Sequence, residues 1–245
     1  MLTDKDSYPF PTEKLAAAVE GLKDDLEGVS VLLTQPEQSM PLLRHAYEDA
    51  RYEKDKLAYA QVLAVMGDPL GVPTLIKAVE AAPALDKGWQ FTGMGQFGRN
   101  LSPLDSLIYA LGRARDRRAT PCILAKLKLL TPQDAFSHYR AMGLALESIG
   151  DPSAAAPLAE VLQRPDVRGH AVPSVDKEIE RAKKSPNFNA TLPRSNALRE
   201  LILARALFRC GDKDGLGRKI LQEYAADLRG HFARHAQAVL EAVGR

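Results

Sequence analysis

Apolar residues recur at helical spacing along most of this chain, most clearly from Leu57 to Val79. There Tyr59, Val62, Leu63 and Met66 fall at i, i+3, i+4 and i+7 and form one stripe at the helical period. Gly67 can take the left-handed conformation that closes a helix. Asp68 can cap the next helix, and Pro69 suits a first helical position, where its missing N–H costs nothing. Leu70, Val72, Leu75, Ile76 and Val79 then supply a second apolar face. The pattern predicts a hairpin of two amphipathic helices.

The unit recurs with turn aspartates at Asp68, Asp116, Asp151 and Asp212. Nine residues before them stand Tyr59, Leu107, Met142 and Leu203; six before, Val62, Ala110, Ala145 and Ala206; five before, Leu63, Leu111, Leu146 and Leu207. This large, small, large series lets a helix pack closely on neighbours. One hairpin cannot bury its apolar faces alone, so several must stack. From about residue 53 to 245 the chain resembles the HEAT repeat, in its bacterial PBS-lyase-type form with a Gly-Asp-Pro turn. That resemblance implies an all-α fold, a right-handed α-solenoid of HEAT-like hairpins, and says almost nothing about activity.

In chain order, residues 1–52 read as a polar start followed by two helices that cap the stack, one from Thr12 to about Glu27 and one after Gln35-Pro36. Between them VSVLL, Val29 to Leu33, is the only run with a strand signal. Residues 53–245 form the repeat region, with units at about 53–82, 103–130 and 138–163, and a fourth starting near Leu198. A last helix runs from about Leu228 to Val243. The connections 83–102, 131–137 and 164–197 all lie between units, the last holding a possible short helix at DKEIERAKK. They should gather on one edge, with the aspartate turns on the other, and long connections of this kind often carry function.

Composition narrows the class. The chain has 245 residues, 45% of them hydrophobic, and 33 basic against 31 acidic residues, a net charge of +2. That balance predicts no strong attraction to nucleic acid or membrane. Cys122 and Cys210 fall on helical core faces and read as buried free thiols, not a disulfide. Neither a signal peptide nor a membrane span is evident, so a chain naturally starting at Met1 is expected in the cytoplasm.

The candidate chemistry is sparse. GMGQFG at Gly93 to Gly98 matches a dinucleotide fingerprint in letters, but DKGWQFT before it is no buried strand. The expected role is a loop that folds Trp89, Phe91 and Phe97 onto the helices. His231 and His235, four apart on the last helix, lack a third ligand and read as part of a solvated basic face with Arg229 and Arg234. The paired His-Glu dipeptides of helical-repeat iron hydroxylases are missing. Arg113, Arg115, Arg117 and Arg118 surround the second turn without aromatics to stack bases, so they read as solvated. Ser137-His138-Tyr139-Arg140 enters the third unit and Arg168-Gly169-His170 leaves it. No nucleophile elbow accompanies them and no acid is evident to orient a histidine, so bonding at a helix start is the default.

A second resemblance covers Gly88 to Ala171. GWQFTGMGQFGRN, LDSLIYALGRARD, FSHYRAMGLALESIGDPSAAAPLAEVL and VRGHA together resemble the helical-repeat region that follows the flavin-binding part of certain bacterial FAD-dependent oxidoreductase-like proteins. It implies an accessory C-terminal module or a relative lacking the catalytic part. No nucleotide-binding βαβ segment is present, so no flavin and no catalytic residue are carried over. The expectation is a non-enzymatic scaffold that contacts a protein partner or parent domain through its loop edge and concave face, with no cofactor and no metal. The edge residues expected to bind are Trp89, Gln96, Arg99, His138, Arg140 and His170. A small-ligand or enzyme site built from His138, His170, Trp89 and Arg140 is the third reading.

Overall fold

The computed structural model describes residues 11–24, 28–88, 101–184 and 191–242, and the helices and turns it describes contain no strand. Three helices precede the first unit: α1 (Thr12–Gly21), α2 (Val29–Thr34) and α3 (Pro36–Asp49). The run with the strand signal is thus a helix. Its β-branched residues favour strand only weakly, and Leu32 is wholly buried against the core, so packing decides. The first cap helix also ends sooner than expected, at Gly21.

The units follow as α4 (Glu53–Val65) with α5 (Val72–Ala81), α6 (Pro103–Ala114) with α7 (Thr120–Leu129), and α8 (Phe136–Ile149) with α9 (Ala155–Leu162). After α10 (Val175–Lys184) come α11 (Thr191–Arg209) and α12 (Leu216–Ala225), then α13 (Gly230–Glu241). The expected short helix at DKEIERAKK is α10. The fourth unit begins earlier than Leu198, because α11 extends back to Thr191.

The turns work through their aspartates, with one refinement. Gly67 has φ +88°, and the Asp68 carboxylate accepts from Leu70 N at 2.9 Å. What it caps first is a single 3-10 turn, Pro69–Gly71, from which α5 proceeds. Asp116 and Asp151 do the same for Arg118 N and Ser153 N at 2.9 and 3.0 Å. The fourth turn, Lys213–Gly215, differs. Asp212, Asp214 and Gly215 all have positive φ, and the Asp212 carboxylate reaches past the turn to Gly217 N at 2.6 Å.

The first helices of the units pack in succession, α4 on α6, α6 on α8 and α8 on α11. The second helices do likewise, α5 on α7 and α7 on α9. At one end α1 packs on α3 and α3 on α4; at the other α11 packs on α12 and α12 on α13. The small positions of the repeat are where these helices meet. A Cβ on Gly112 of α6 would stand 2.4 Å from the Ala145 Cα of α8, so this pair is small because two backbones touch there. Leu63, Leu111, Leu146 and Leu207 are wholly buried in the common core. Among the described residues no helix is long and apolar enough to cross a membrane.

Candidate functional site

Entry into the third unit brings three polar side chains inside. Ser137 and His138, in the first turn of α8, are buried, and both reach across to Asp105 on α6. Ser137 Oγ donates to Asp105 Oδ2 at 2.5 Å, and His138 Nδ1 lies 2.7 Å from Asp105 Oδ1. The other ring nitrogen, Nε2, lies 3.0 Å from the backbone carbonyl of Asp86, in the connection after α5. The Asp86 side chain in turn accepts from Leu104 N at 3.0 Å, and Ser102 Oγ accepts from Asp105 N at 3.1 Å. Together Asp86 and Ser102 satisfy free N–H groups at the start of α6.

The partners dictate the protonation of His138. A carboxylate and a carbonyl can only accept, so both ring nitrogens must donate, which is the imidazolium form. Burial is the largest influence on each group and opposes its charge. It is outweighed for His138 by the bond and charge of Asp105 and by Asp86, so the histidine is raised above its ordinary value. Asp105 is lowered, because its bonds from His138 and Ser137 overcome the cost of burial. The result is a buried ion pair that ties the connection after α5 to α6 and α8. Gly88 is part of the fit, since a Cβ there would stand 2.7 Å from His138 Nε2.

This arrangement corrects the expectation that no acid orients a histidine. Asp105 does so from 33 residues away. It is still no nucleophile set. Ser137 donates to the acid, and both His138 ring nitrogens are engaged by Asp105 and the Asp86 carbonyl, so no imidazole faces the hydroxyl. Nor is the bonding a local helix start as expected; it runs between elements.

The connection after α9 is held by the same kind of device. Glu200 of α11, wholly buried, accepts from Gly169 N at 2.9 Å, His170 N at 2.8 Å and the Tyr224 hydroxyl at 2.8 Å. Asp227, between α12 and α13, accepts from Val172 N at 2.8 Å and from the Arg229 guanidinium, which also donates to the His170 carbonyl at 2.7 Å. Burial works against the Asp227 carboxylate, but the Arg229 bonds hold it below the usual range. The short connection after α7 is gripped by Arg199, which donates to the carbonyls of Pro132 and Asp134 at 2.6 and 2.7 Å. Arg164 donates to the Leu130 carbonyl at 2.6 Å, and Lys126 to that of Ala82, satisfying carbonyls at the ends of α7 and α5.

The expected binding residues therefore have different fates. His138 is buried and engaged. His170 is half-buried, its Nε2 bonded to the Asp166 carbonyl at 3.0 Å. Arg140 is exposed. Trp89, Gln96 and Arg99, with the whole Gly93–Gly98 motif, lie outside the described residues. His138 and His170 belong to separate bond sets. His231 and His235 are exposed on α13, and His235 Nε2 accepts from Arg205 at 2.8 Å, which leaves it no lone pair there for a metal. Among the described residues no three His, Cys, Asp or Glu side chains are arranged to hold a metal ion.

Asp105, Glu200, Asp227 and Arg199 were missed at the sequence level. A signal existed for two. Ile108 and Gly112 follow Asp105 at three and seven residues, and Leu203 and Leu207 follow Glu200 likewise, so both acids sit on core-facing stripes. Compared with family models, curated proteins and solved structures, the chain matches none.

Proposed function

We propose that the chain is a HEAT-like right-handed α-solenoid that binds a protein partner, or another domain of a longer parent, along the edge where its inter-unit connections gather. Two rows of helices packed in chain order support the solenoid reading. The observation that carries the binding reading is that buried charged side chains hold described residues of all three connections: Asp105 with His138 at Asp86, Arg199 at Pro132 and Asp134, and Glu200 with Asp227 at Gly169 to Val172. A mere linker needs no such apparatus. Residues held in this way lose little conformational freedom when a partner docks, and that saving appears as affinity. Catalysis is not part of this reading, because Asp105, His138, Glu200, Asp227 and Arg199 are engaged with backbone and with one another.

The test uses expected binding residues other than His138, since that histidine is structural. A variant carrying Arg140→Ala, Trp89→Ala and Arg99→Ala is compared with wild type in pull-downs from the source cells, after both are shown to melt alike. Loss of a specifically captured protein from the variant supports the edge as the contact. Equal capture by both rejects it. A captured partner that carries flavin would assign the accessory role implied by the second resemblance.

A further inference from the structure

At the end of the molecule formed by the cap helices, α1, α3 and the start of α4 enclose a groove of about 440 Å³. This falls within the roughly 300–1,000 Å³ of small-molecule sites. Val19, Leu42 and Ala46 give it an apolar wall. Tyr59 of α4 closes it from below. The tyrosine is 1% exposed, and among the described residues its buried hydroxyl has no partner but the Lys23 ammonium, which can only donate to it. The charges that act on that hydroxyl are Lys23, Glu20 and Asp55, all groove residues, which puts its polar end at the groove. The nearby Lys23 ammonium is bonded to Glu20. A buried hydroxyl whose own proton finds no acceptor is costly, and a phenylalanine of the same shape would avoid the cost.

The charges around the groove sort into paired and unpaired. Lys23 pairs with Glu20, and His45 with Asp49 at 3.3 Å. Arg51 and Asp55 remain, with no ion pair or hydrogen bond from either side chain among the described residues. Asp55 and Tyr59 are four apart on α4, on one face of the helix, and Arg51 lies in the connection just before it. The groove therefore offers one cation, one anion, one hydroxyl and an apolar wall.

We propose that this groove binds a zwitterion of amino-acid or short-peptide type, with its carboxylate toward Arg51, its ammonium toward Asp55, a polar atom on the Tyr59 hydroxyl and an apolar side chain against Val19 and Leu42. The site is separate from the loop edge and does not depend on the partner-binding reading.

Calorimetric titration of the full chain tests it with four probes: L-leucine, L-leucyl-L-leucine, N-acetyl-L-leucine and L-leucinamide. At least one zwitterion should saturate below about 1 mM, and the two singly charged probes should bind about tenfold more weakly or worse. The stronger zwitterion identifies the source as a free amino acid or a peptide. Asp55→Asn should abolish the preference for leucine over N-acetyl-leucine. Tyr59→Phe should weaken binding about fivefold or more while melting at the same or a higher temperature, which separates a ligand role from a folding role. The proposal is overturned if neither zwitterion saturates by about 10 mM, if the blocked probes bind equally well, or if both variants bind like wild type.

Discussion

Replacing His138 by alanine would remove the cation from a buried ion pair and leave Asp105 with its negative charge, wholly enclosed and bonded by only the Ser137 hydroxyl and local groups. The Asp86 carbonyl would lose its donor as well. Breaking a buried pair from one side costs about 3–5 kcal/mol, a large part of the roughly 5–15 kcal/mol that holds a domain together. For a chain of this length that is a fall in melting temperature of about 6–20 °C. Asp105→Asn should be gentler, at about 1–2 kcal/mol, because a neutral histidine can keep both bonds. Its Nε2–H still donates to Asp86, while Nδ1 accepts from the new amide.

The pH profile separates the two variants further. His138 is raised above its ordinary 6.5, so its contribution is complete below that pH and is lost as pH climbs through the raised value. Asp105 is lowered below its ordinary 3.8, so its contribution is complete above that pH and is lost on acidification through the lowered value. The pair therefore stabilises most between about pH 4 and 6.5. Wild-type stability, followed by circular dichroism in urea, should fall above this window, and Asp105→Asn should lose that alkaline fall. A His138→Ala cost under about 1 kcal/mol, or an unchanged alkaline fall in Asp105→Asn, would refute the reasoning.

Three further outcomes follow from other parts of the fold. Cys122 and Cys210 are buried, and burial pushes their thiols up to about 11 and about 12, so neither should react with a thiol reagent at pH 8 until the chain is unfolded. Asp68→Ala removes both the cap on Leu70 N and the acceptor for Arg44 Nε at 2.5 Å, and should cost about 1–2 kcal/mol in urea unfolding; a cost below about 0.5 would deny the turn its capping role. Gly112→Val would drive a side chain into the Ala145 backbone and should destabilise by about 1–3 kcal/mol, whereas an unaffected midpoint would mean that α6 and α8 have room to part.

Hairpins were legible because their signals are local. Gly67, Asp68 and Pro69 act on groups within a few residues, and the stripe from Tyr59 to Met66 is one helix long. The fourth turn departs because Asp212, Asp214 and Gly215 are left-handed, which carries the Asp212 carboxylate to a farther amide; a missing proline is not the reason, since Asp116 caps Arg118 N without one. Long-range bonds left no such trace. Spacing along α6 accounts for the local cap, in which Asp105 N donates to Ser102 Oγ. The Asp105 carboxylate turns inward to α8 instead, a choice made by packing of two helices and not by spacing along one. The groove at Tyr59 depends likewise on how α1, α3 and α4 meet, and no motif announces it.

The two long connections are held by acids of different chemistry, and this should make them respond differently to pH. Asp105 holds its connection through an imidazolium, which loses a proton as pH rises through a value above the ordinary 6.5. Glu200 holds the other through two backbone amides and Tyr224, whose hydroxyl is pushed above its ordinary value by burial and by the Glu200 charge. None of those donors gives up its proton between pH 6 and 9. Amide hydrogen exchange reads each clamp separately. Leu104 N is bonded to Asp86, whose carbonyl rests on His138, whereas Gly169 N and His170 N are bonded to Glu200. After correction for intrinsic rates, protection at Leu104 should fall as pH is raised from 6.5 through the raised histidine value, while protection at Gly169 and His170 stays level. Equal loss at all three would mean that the whole stack loosens together, and that the histidine clamp is not what ties down the first connection.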